Sequence, residues 1–324
     1  MKCKEQKELV STFEKEIYEG LTAFPKYLSS KFIYDSEGDK LFQQIMNLPE
    51  YYLTRKEFEI LSDKKEQIIQ SFDPDKQGFN LIELGAGDGK KTRILLKALL
   101  EENRSFTYSP IDISENAVNS LVSNLAVELP GLDVDGLIGE YFEVLDRLRQ
   151  SKYSKKVIMV LGSNIGNLLH PRAIKFLKKL AAVMGKDDLL FMGFDQKKNP
   201  QTILDAYNDK QGITEAFNKN VLKRINKELD ANFDLSSFTH WETYDPESGT
   251  AKSYLVSKEK QTVDINVLNL QVDFEQWETI HTEISQKYDD HTVKWLAKES
   301  GLRIVNQFTD KDSMYKNYLF SRTE

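Results

Sequence analysis

The fold is decided by the stretch LIELGAGDGKKT at residues 81–92. It begins as an apolar, strand-like segment with the acid Glu83 near its end, and Gly85, Gly87 and Gly89 follow within a few residues. Glycines directly after a strand permit a tight turn into a helix, whose first N–H groups then face a ligand lying on the backbone. The stretch therefore predicts a strand, a ligand-binding loop and a helix.

Strand-like and helix-like segments alternate around this stretch, from residue 79 to about residue 196. The strand segments are near-continuous apolar runs, such as VIMVLG at 157–162, which is typical of parallel strands buried on both faces. Beyond 197 a helical region leads into segments of period two around the turn DPESG at 245–249, which favour antiparallel strands. The sequence predicts an α/β fold, a Rossmann-like doubly wound sheet with an inserted α+β region.

Helix signals flank the alternating region on both sides. Near the N-terminus, Val10, Phe13, Ile17 and Leu21 follow helical spacing, and Ser36 is the predicted N-cap of a following helix. A further helix is predicted from Thr54. At the other end, a helix over 292–300 and a final strand, NYLFSR, are predicted to return to the sheet.

Composition narrows the class of function. The 324 residues carry a formal net charge of −7 with interspersed signs, so binding to nucleic acid or to an anionic membrane is not expected. Cys3 is the single cysteine, which excludes an internal disulfide or a cysteine-based zinc site, and the four histidines lack metal-ligand spacing. No signal peptide or membrane-spanning run is visible, so a cytoplasmic protein without a metal is predicted.

The glycine loop differs from two common nucleotide motifs. Its third glycine falls one residue early for G-x-G-x-x-G, and it has no Gly-Lys-Ser/Thr at the offset of a P-loop. Asp112 follows about one βα unit later, where an acid accepts hydrogen bonds from a ribose diol. This order favours S-adenosylmethionine (SAM) over NAD, because no pyrophosphate must be held. The alternative is that the glycines serve only the turn and Asp112 is a surface acid.

The chain resembles the L-histidine Nα-methyltransferases of ergothioneine biosynthesis over nearly its whole length. The landmarks of this resemblance are FIYD, LPEYYLTR, ELGAGDGKKT, PIDIS, GSNIGN, AYNDKQGITEAFNKNVL and TEISQKY. The resemblance implies a class I SAM methyltransferase that adds three methyl groups to one α-amine. It implies a SAM-binding domain at 56–196 and 287–324, a substrate-binding domain at 1–55 and 197–286, and a monomer.

The resemblance also implies roles for individual residues. The implied cofactor positions are Tyr51, Glu83, Gly85, Gly87, Lys91, Asp112, Glu140 and Tyr141. The implied substrate positions are Tyr51, Gly162, Asn164, Asn167, Tyr207, Ser253, Glu283 and Ser285. Among the latter, Asn167 and Tyr207 would hold the substrate carboxylate, and Glu283 with Ser285 would recognise the imidazole.

The chemistry is compatible with these residue types. In-line methyl transfer needs alignment rather than a protein nucleophile, and alignment can contribute ~7–11 kcal/mol. An α-amine has a pKa of ~8, so no strong base is required, and Tyr34, Tyr51 or a water are the predicted proton acceptors. The competing interpretations are structural: in these, Tyr51 and Tyr207 simply pack, and Glu283 with Ser285 lies on a solvated strand face. Trp241 and Trp277 are predicted to lie in the core.

Two departures from the family pattern leave the substrate open. Asn164 stands where many relatives have threonine, and Ser253 is interpreted as replacing a larger apolar residue, which would enlarge the pocket. Tryptophan is therefore an alternative substrate, although Glu283 would then be left partly unpaired. A non-catalytic SAM-binding protein is the alternative from a different functional class.

Overall fold

The structure, a computed structural model, describes residues 11–147 and 155–323, so Cys3 and Val10 lie outside it. Its helices are α1 Thr12–Thr22, α2 Ser36–Met46, α3 Tyr52–Asp63, α4 Lys65–Phe72, α5 Thr92–Glu101, α6 Glu115–Glu128, α7 Tyr141–Arg147, α8 His170–Val183, α9 Pro200–Tyr207, α10 Ile213–Leu229 and α11 Asp290–Glu299. Its strands are β1 Lys26–Tyr27, β2 Phe79–Leu84, β3 Phe106–Asp112, β4 Leu137–Ile138, β5 Lys156–Val160, β6 Leu189–Asp195, β7 Phe238–Asp245, β8 Thr250–Ser257, β9 Gln261–Ile265, β10 Leu270–Phe274, β11 Thr279–Gln286, β12 Leu302–Thr309 and β13 Tyr315–Arg322.

The chain divides into two compact units. The α/β unit comprises Leu53–Lys197 and Gln286–Glu324, and the α+β unit comprises Met1–Tyr52 and Lys198–Ser285. The domain boundaries predicted from the sequence fall next to these breaks. The functions predicted for the two domains stay predictions.

The α/β unit contains a seven-stranded sheet in the order β12-β13-β6-β5-β2-β3-β4. The strands β6, β5, β2, β3 and β4 are parallel, and β13 runs antiparallel to both of its neighbours. Its parallel strands form the Rossmann-like doubly wound sheet that the sequence predicted. The strand order reverses between β2 and β5, and ligands of open α/β sheets bind beyond the carboxyl ends of the strands at such a point.

Apolar side chains cover both faces of this sheet. Every residue of β2 and β5 is buried. On one face, Phe72 of α4 packs edge-on against Phe191 of β6, with ring centroids 5.3 Å apart. On the other, Ile82 and Leu84 join a core that includes Leu177 of α8. Helices on both faces explain why the strands read as uninterrupted apolar runs.

The α+β unit contains a sheet of order β1-β11-β8-β7 and a separate hairpin of β9 and β10. β7 and β8 pair antiparallel on either side of the predicted turn at 245–249. α9 and α10 pack against β7 and β8, and α10 also packs against α2. The inward-facing residues of β7 and β8 are thereby buried, and several of them are polar.

Several local predictions were wrong. Asp35, not Ser36, caps α2, because its carboxylate accepts hydrogen bonds from the N–H groups of Glu37 and Gly38. α3 begins at Tyr52 rather than Thr54, α11 begins before residue 292, and β12 was not predicted as a strand. Trp241 and Trp277 are 60% and 62% exposed, because Trp241 lies on the outer face of β7 and Trp277 in the turn before β11.

None of the described helices has both the length and the apolar character to cross a membrane.

Candidate active site

The glycine loop follows β2 at the carboxyl edge of the α/β sheet. Gly85 and Gly87 have φ angles of +70° and +54°, a region that side-chain-bearing residues rarely adopt. A Cβ at Gly85 would lie 2.8 Å from the hydroxyl of Tyr141, whereas a Cβ at Gly87 would meet no atom within 4 Å. The loop therefore combines one crowded glycine with one that presents bare backbone.

Glu83 lies buried beneath this loop and supports it. It is 3% exposed, and its carboxylate accepts a hydrogen bond from the Tyr108 hydroxyl at 2.5 Å, while Thr92 Oγ1 lies 2.7 Å from both of its oxygens. Burial raises the pKa of Glu83 to about 7, although these hydrogen bonds and Lys91 act in the opposite direction. Because its oxygens face the interior, we expect Glu83 to support the cofactor loop rather than to contact a ligand.

Lys91 lies at the start of α5, next to a second loop. Its ammonium donates to Oε2 of Glu57 at 2.5 Å, and the same oxygen accepts from the backbone N–H of Gly162 at 2.8 Å. Glu57 is 0% exposed, whereas about a quarter of the Lys91 side chain reaches solvent (23%). One buried carboxylate thus joins the loop after β2 to the loop after β5.

The acids predicted for ribose and adenine binding lie close to the glycine loop. Asp112 ends β3, is half-buried and accepts a hydrogen bond from the N–H of Ser114 at 2.9 Å. Glu140 is exposed at the start of α7, beside half-buried Tyr141. Burial raises the pKa of Tyr141, and the charges of Asp112 and Glu140 raise it further. The structure thus brings Gly85, Asp112, Glu140 and Tyr141 together within the α/β unit.

The loop after β5 carries Gly162, Asn164 and Asn167. All three are exposed, and the backbone between the first two turns through Ser163 in the left-handed conformation. A Cβ at Gly162 would lie 3.4 Å from Lys91 Nζ and 3.6 Å from Asn164 Oδ1. Gly162 and Asn164 therefore border the glycine loop. The predicted contacts of these three residues with substrate stay predictions.

The α+β unit contains an aromatic cluster of five side chains, Tyr34, Phe42, Tyr51, Tyr207 and Phe217. Their rings meet mostly edge to face, with centroids 5.2–6.2 Å apart, and Tyr51 lies 6.2 Å from Tyr207. Tyr51 and Tyr207 are each 8% exposed. Tyr51 and Tyr207 therefore do pack, and Tyr34, for which only a catalytic role was predicted, packs in the same cluster. Their roles in the site stay predictions.

Tyr207 is fixed at both ends. Its hydroxyl lies 2.7 Å from Ser285 Oγ, and its backbone carbonyl, at the end of α9, accepts a hydrogen bond from His240 Nε2 at 2.9 Å. Burial lowers the pKa of His240, which favours the neutral imidazole, and in that form the bond to the carbonyl places the proton on Nε2. The structure brings Tyr207 and Ser285, two predicted substrate residues, into direct contact.

Tyr34 lies close to Glu283. Burial raises the pKa of Tyr34 well above its usual value, and the charge of Glu283 raises it further. A phenol with such a pKa is neutral at ordinary pH. Tyr34 can therefore accept or donate a hydrogen bond, but it does not act as a phenolate base.

Ser253 and Glu242 form a second polar pair in the α+β unit. They face each other across β7 and β8, and Ser253 Oγ donates to Glu242 Oε2 at 2.7 Å. They are 2% and 8% exposed. The hydroxyl of Ser253 is thus already bonded to a carboxylate that the sequence analysis did not identify.

Three acids elsewhere have a spacing that a cation could use. Glu59, Asp310 and Asp312 offer oxygens within 4.8 Å of one another. The ammonium of Lys56 bonds to Glu59 at 3.0 Å and to Asp312, and lies 3.4 Å from Asp310. A lysine ammonium therefore already lies among these three carboxylates, where a cation would bind.

Sequence reasoning missed Glu57, although a signal was present. Leu53, Glu57 and Ile60 recur at the spacing of one helix face, and both apolar residues are buried. An acid in such a row is a candidate for burial with a partner. Glu242 gave a similar signal, since the inward positions of β7 alternate with exposed ones.

The geometry agrees with comparisons to known proteins. Residues 13–322 match the family described as "Histidine-specific methyltransferase, SAM-dependent". The "Histidine N-alpha-methyltransferase" of Mycolicibacterium smegmatis is 36% identical over 91% of this chain and 90% of its own length, and that of Mycobacterium tuberculosis is 34% identical over 92% and 91%. "Ergothioneine biosynthesis protein 1" of Schizosaccharomyces pombe is 29% identical over 91% of this chain but only 39% of its own length. The chain belongs to the family of histidine-specific, SAM-dependent methyltransferases.

Proposed function

We propose that this enzyme methylates the α-amino group of L-histidine, in three rounds that yield the trimethyl betaine. The observation that carries the proposal is the hydrogen bond between Tyr207 and Ser285, at 2.7 Å. Tyr207 is assigned to the substrate carboxylate and Ser285 to the imidazole. In histidine these two groups are separated only by Cα and Cβ, so the residues that bind them must be neighbours.

The imidazole is recognised by Glu283 together with Ser285. A carboxylate accepts a hydrogen bond from the imidazole N–H, and a serine hydroxyl can donate to the other ring nitrogen or accept from it. An indole has one N–H and no acceptor, so it would leave part of such a polar pair unpaired at the expense of binding. The buried Glu242 beside Ser253 adds to the polarity of this unit. These contacts favour histidine over tryptophan.

The α/β unit has the donor and acceptor groups that SAM requires. Lys91 is a cation for the methionine carboxylate, Asp112 is an acceptor for the ribose diol, and Glu140 with Tyr141 flanks the adenine. Bare backbone at Gly87 permits close approach to the loop. When bound, SAM supplies a methyl group on an electrophilic sulfonium. The residues of this unit hold and orient it.

Proton handling does not require a charged base. The reference α-amino group has a pKa of ~8, so a neutral amine is accessible without a strong base. Tyr34, as a neutral phenol, and Tyr51 accept a hydrogen bond from the amine and orient its lone pair, and the proton leaves to water. We assign them to orientation rather than to ionised base catalysis.

Three rounds of methylation require a pocket that tolerates a bulky cation. The aromatic cluster supplies ring faces, which attract quaternary ammonium groups by about 0.5–2 kcal/mol. A carboxylate next to the amine would instead hold the ammonium form and slow attack. Tyr207 and Asn167 bind the substrate carboxylate through neutral groups and avoid this competition.

The test is methylation of a panel of amino acids by the purified enzyme with SAM, followed by mass spectrometry. We expect histidine to gain the mass of three CH₂ groups, with mono- and dimethyl species as intermediates. Tyr207→Phe is a suitable variant, because it removes only the hydroxyl next to Ser285 and should raise KM for histidine. Turnover of tryptophan but not of histidine would reject the proposed substrate, and SAM binding without turnover of any amine would reject the proposed reaction.

A further inference from the structure

Glu57 is a buried carboxylate that the proposed reaction does not use directly. It is 0% exposed and lies on α3. Oε2 accepts from Lys91 Nζ at 2.5 Å and from the Gly162 N–H at 2.8 Å, and Oε1 accepts from Asn317 Nδ2 at 2.9 Å. Three donors from three different segments of the α/β unit thus converge on one side chain.

We propose that Glu57 is the positioning residue for the amino-acid end of SAM. It holds the Lys91 ammonium where that group can bind the methionine carboxylate, and it fixes the loop after β5 beside it. This inference rests on the proposed function, because it takes Lys91 as the partner of that carboxylate. Glu57 itself has no exposed surface and acts only through Lys91 and Gly162.

Lys91 needs such a partner because of its own flexibility. A lysine stem has four rotatable carbons, and its ammonium has three donors with no fixed direction. One donor points to Glu57, and Nζ lies close to Gly162, where a Cβ would be 3.4 Å away. The partly exposed side chain keeps its remaining donors for a ligand. Fixing the ammonium before binding reduces the entropy lost when the ligand arrives.

The surrounding backbone leaves the Glu57 carboxylate little freedom. Gly193, in the middle of β6, lies directly beneath it, and a Cβ there would be 2.3 Å from Glu57 Oε1 and 2.3 Å from the Tyr315 hydroxyl. A residue other than glycine would push the carboxylate away from Lys91. Gly193, Asn317 and Gly162 therefore enclose the carboxylate and aim it at Lys91.

Replacement by glutamine separates charge from geometry. In Glu57→Gln, the amide oxygen can still accept from Lys91 and Gly162. The amide NH₂ can donate to Oδ1 of Asn317 once the Asn317 side-chain amide has flipped. This oxygen has no hydrogen-bond partner within the described part of the chain, so the flip breaks no bond to it. The variant keeps the shape of the network and loses only the negative charge that strengthens the bond to Lys91.

The experiment measures binding of two compounds by calorimetry. S-adenosylhomocysteine contains the amino-acid end, and 5′-methylthioadenosine lacks it. We expect Glu57→Gln to weaken the binding of S-adenosylhomocysteine about tenfold, which is the usual effect of weakening a hydrogen bond between charged groups. It should leave 5′-methylthioadenosine within about twofold of wild type. Glu59→Gln is the matched control, because Glu59 lies on the same helix but bonds to Lys56 at 3.0 Å; it should leave both affinities unchanged.

A purely structural role for Glu57 predicts a different result. If the variant only loosened the loops after β2 and β5, the affinities for both compounds would fall equally. That outcome, or an unchanged affinity for both, would overturn the inference. If Glu57→Gln is not recovered folded, Glu57→Asp serves instead, because it retains the charge but withdraws it by one methylene, and the same selective loss is expected. Failure of the wild-type enzyme to bind either compound would overturn the proposed function itself.

Discussion

Glu83 should make the α/β unit less stable as the pH rises towards 7. Its carboxylate is buried beneath the glycine loop, and its pKa is raised from 4.5 to about 7 in the folded protein. Below pH 4.5 the group is protonated in both the folded and the unfolded chain. Between these two values the folded state holds a proton that the unfolded state has lost, so the free energy of unfolding falls as the pH increases.

The magnitude follows from the difference in pKa. A difference of about 2.5 units at 1.36 kcal/mol per unit corresponds to about 3 kcal/mol, present below pH 4.5 and lost above about pH 7. Glu83→Gln removes the titration. Its partners, the hydroxyls of Tyr108 and Thr92, can reverse donor and acceptor roles towards an amide. We therefore expect the variant to match wild type at low pH and to exceed it by up to about 3 kcal/mol above pH 7.

The assay is urea unfolding at intervals from about pH 4 to about pH 8. Trp295 is the only tryptophan of the α/β unit, so its fluorescence, in a background with Trp241 and Trp277 replaced by phenylalanine, reports on that unit. The quantity compared is the free energy of unfolding of the variant minus that of wild type. Taking this difference cancels the contributions of the other titrating groups to the pH dependence of stability.

The control is Glu101→Gln, which removes an exposed acid from α5 in the same unit. It should leave the pH dependence of stability as in wild type. A difference between Glu83→Gln and wild type that stays constant over the whole pH range would refute the raised pKa. A difference that shrinks with increasing pH would mean that the native state favours the charged carboxylate.

Three further predictions concern the site. Glu283→Ala should raise KM for histidine about tenfold, because the imidazole loses a charged acceptor, while calorimetry shows SAM affinity unchanged; an unaltered KM would count against the imidazole assignment. Tyr34→Phe should lower kcat without moving the pH at which activity rises, since the phenol is neutral throughout; a shift or loss of that rise in the variant would identify Tyr34 as an ionising base. Gly193→Ala should lower the Tm, because its Cβ would lie 2.3 Å from Glu57 and Tyr315 oxygens, and an unchanged melting curve would contradict the close approach.

Local patterns in the sequence predicted the elements of the fold well. The glycines after β2, the turn at 245–249 and the apolar strands each depend on neighbouring residues, so a short window contains the signal. The N-cap of α2 was missed by one residue because Asp35 and Ser36 are both suitable caps, and only geometry decides which one accepts two N–H groups.

Contacts between distant residues were harder to predict. Glu57 is separated from Lys91 by 34 residues and from Gly162 by 105, so no pattern in its own helix names its partners. Ser253 was identified only through the resemblance to a family, and its bond to Glu242 required the register of β7 and β8. Trp241 illustrates the opposite error, because a large aromatic residue on a strand was assigned to the core before the direction of its face was known.

The imidazole of His240, on β7, bonds to the last residue of α9, and this has a consequence for measurements of histidine binding at low pH. Burial lowers the pKa of His170, His240 and His281 alike, so each of these rings gains its proton at a lower pH than an unperturbed imidazole does. The hydrogen bond that His240 donates to the Tyr207 carbonyl is therefore kept over the pH range in which the imidazole of the substrate gains its proton. A change in KM for histidine across that interval is therefore not expected to come from the protonation of these three rings.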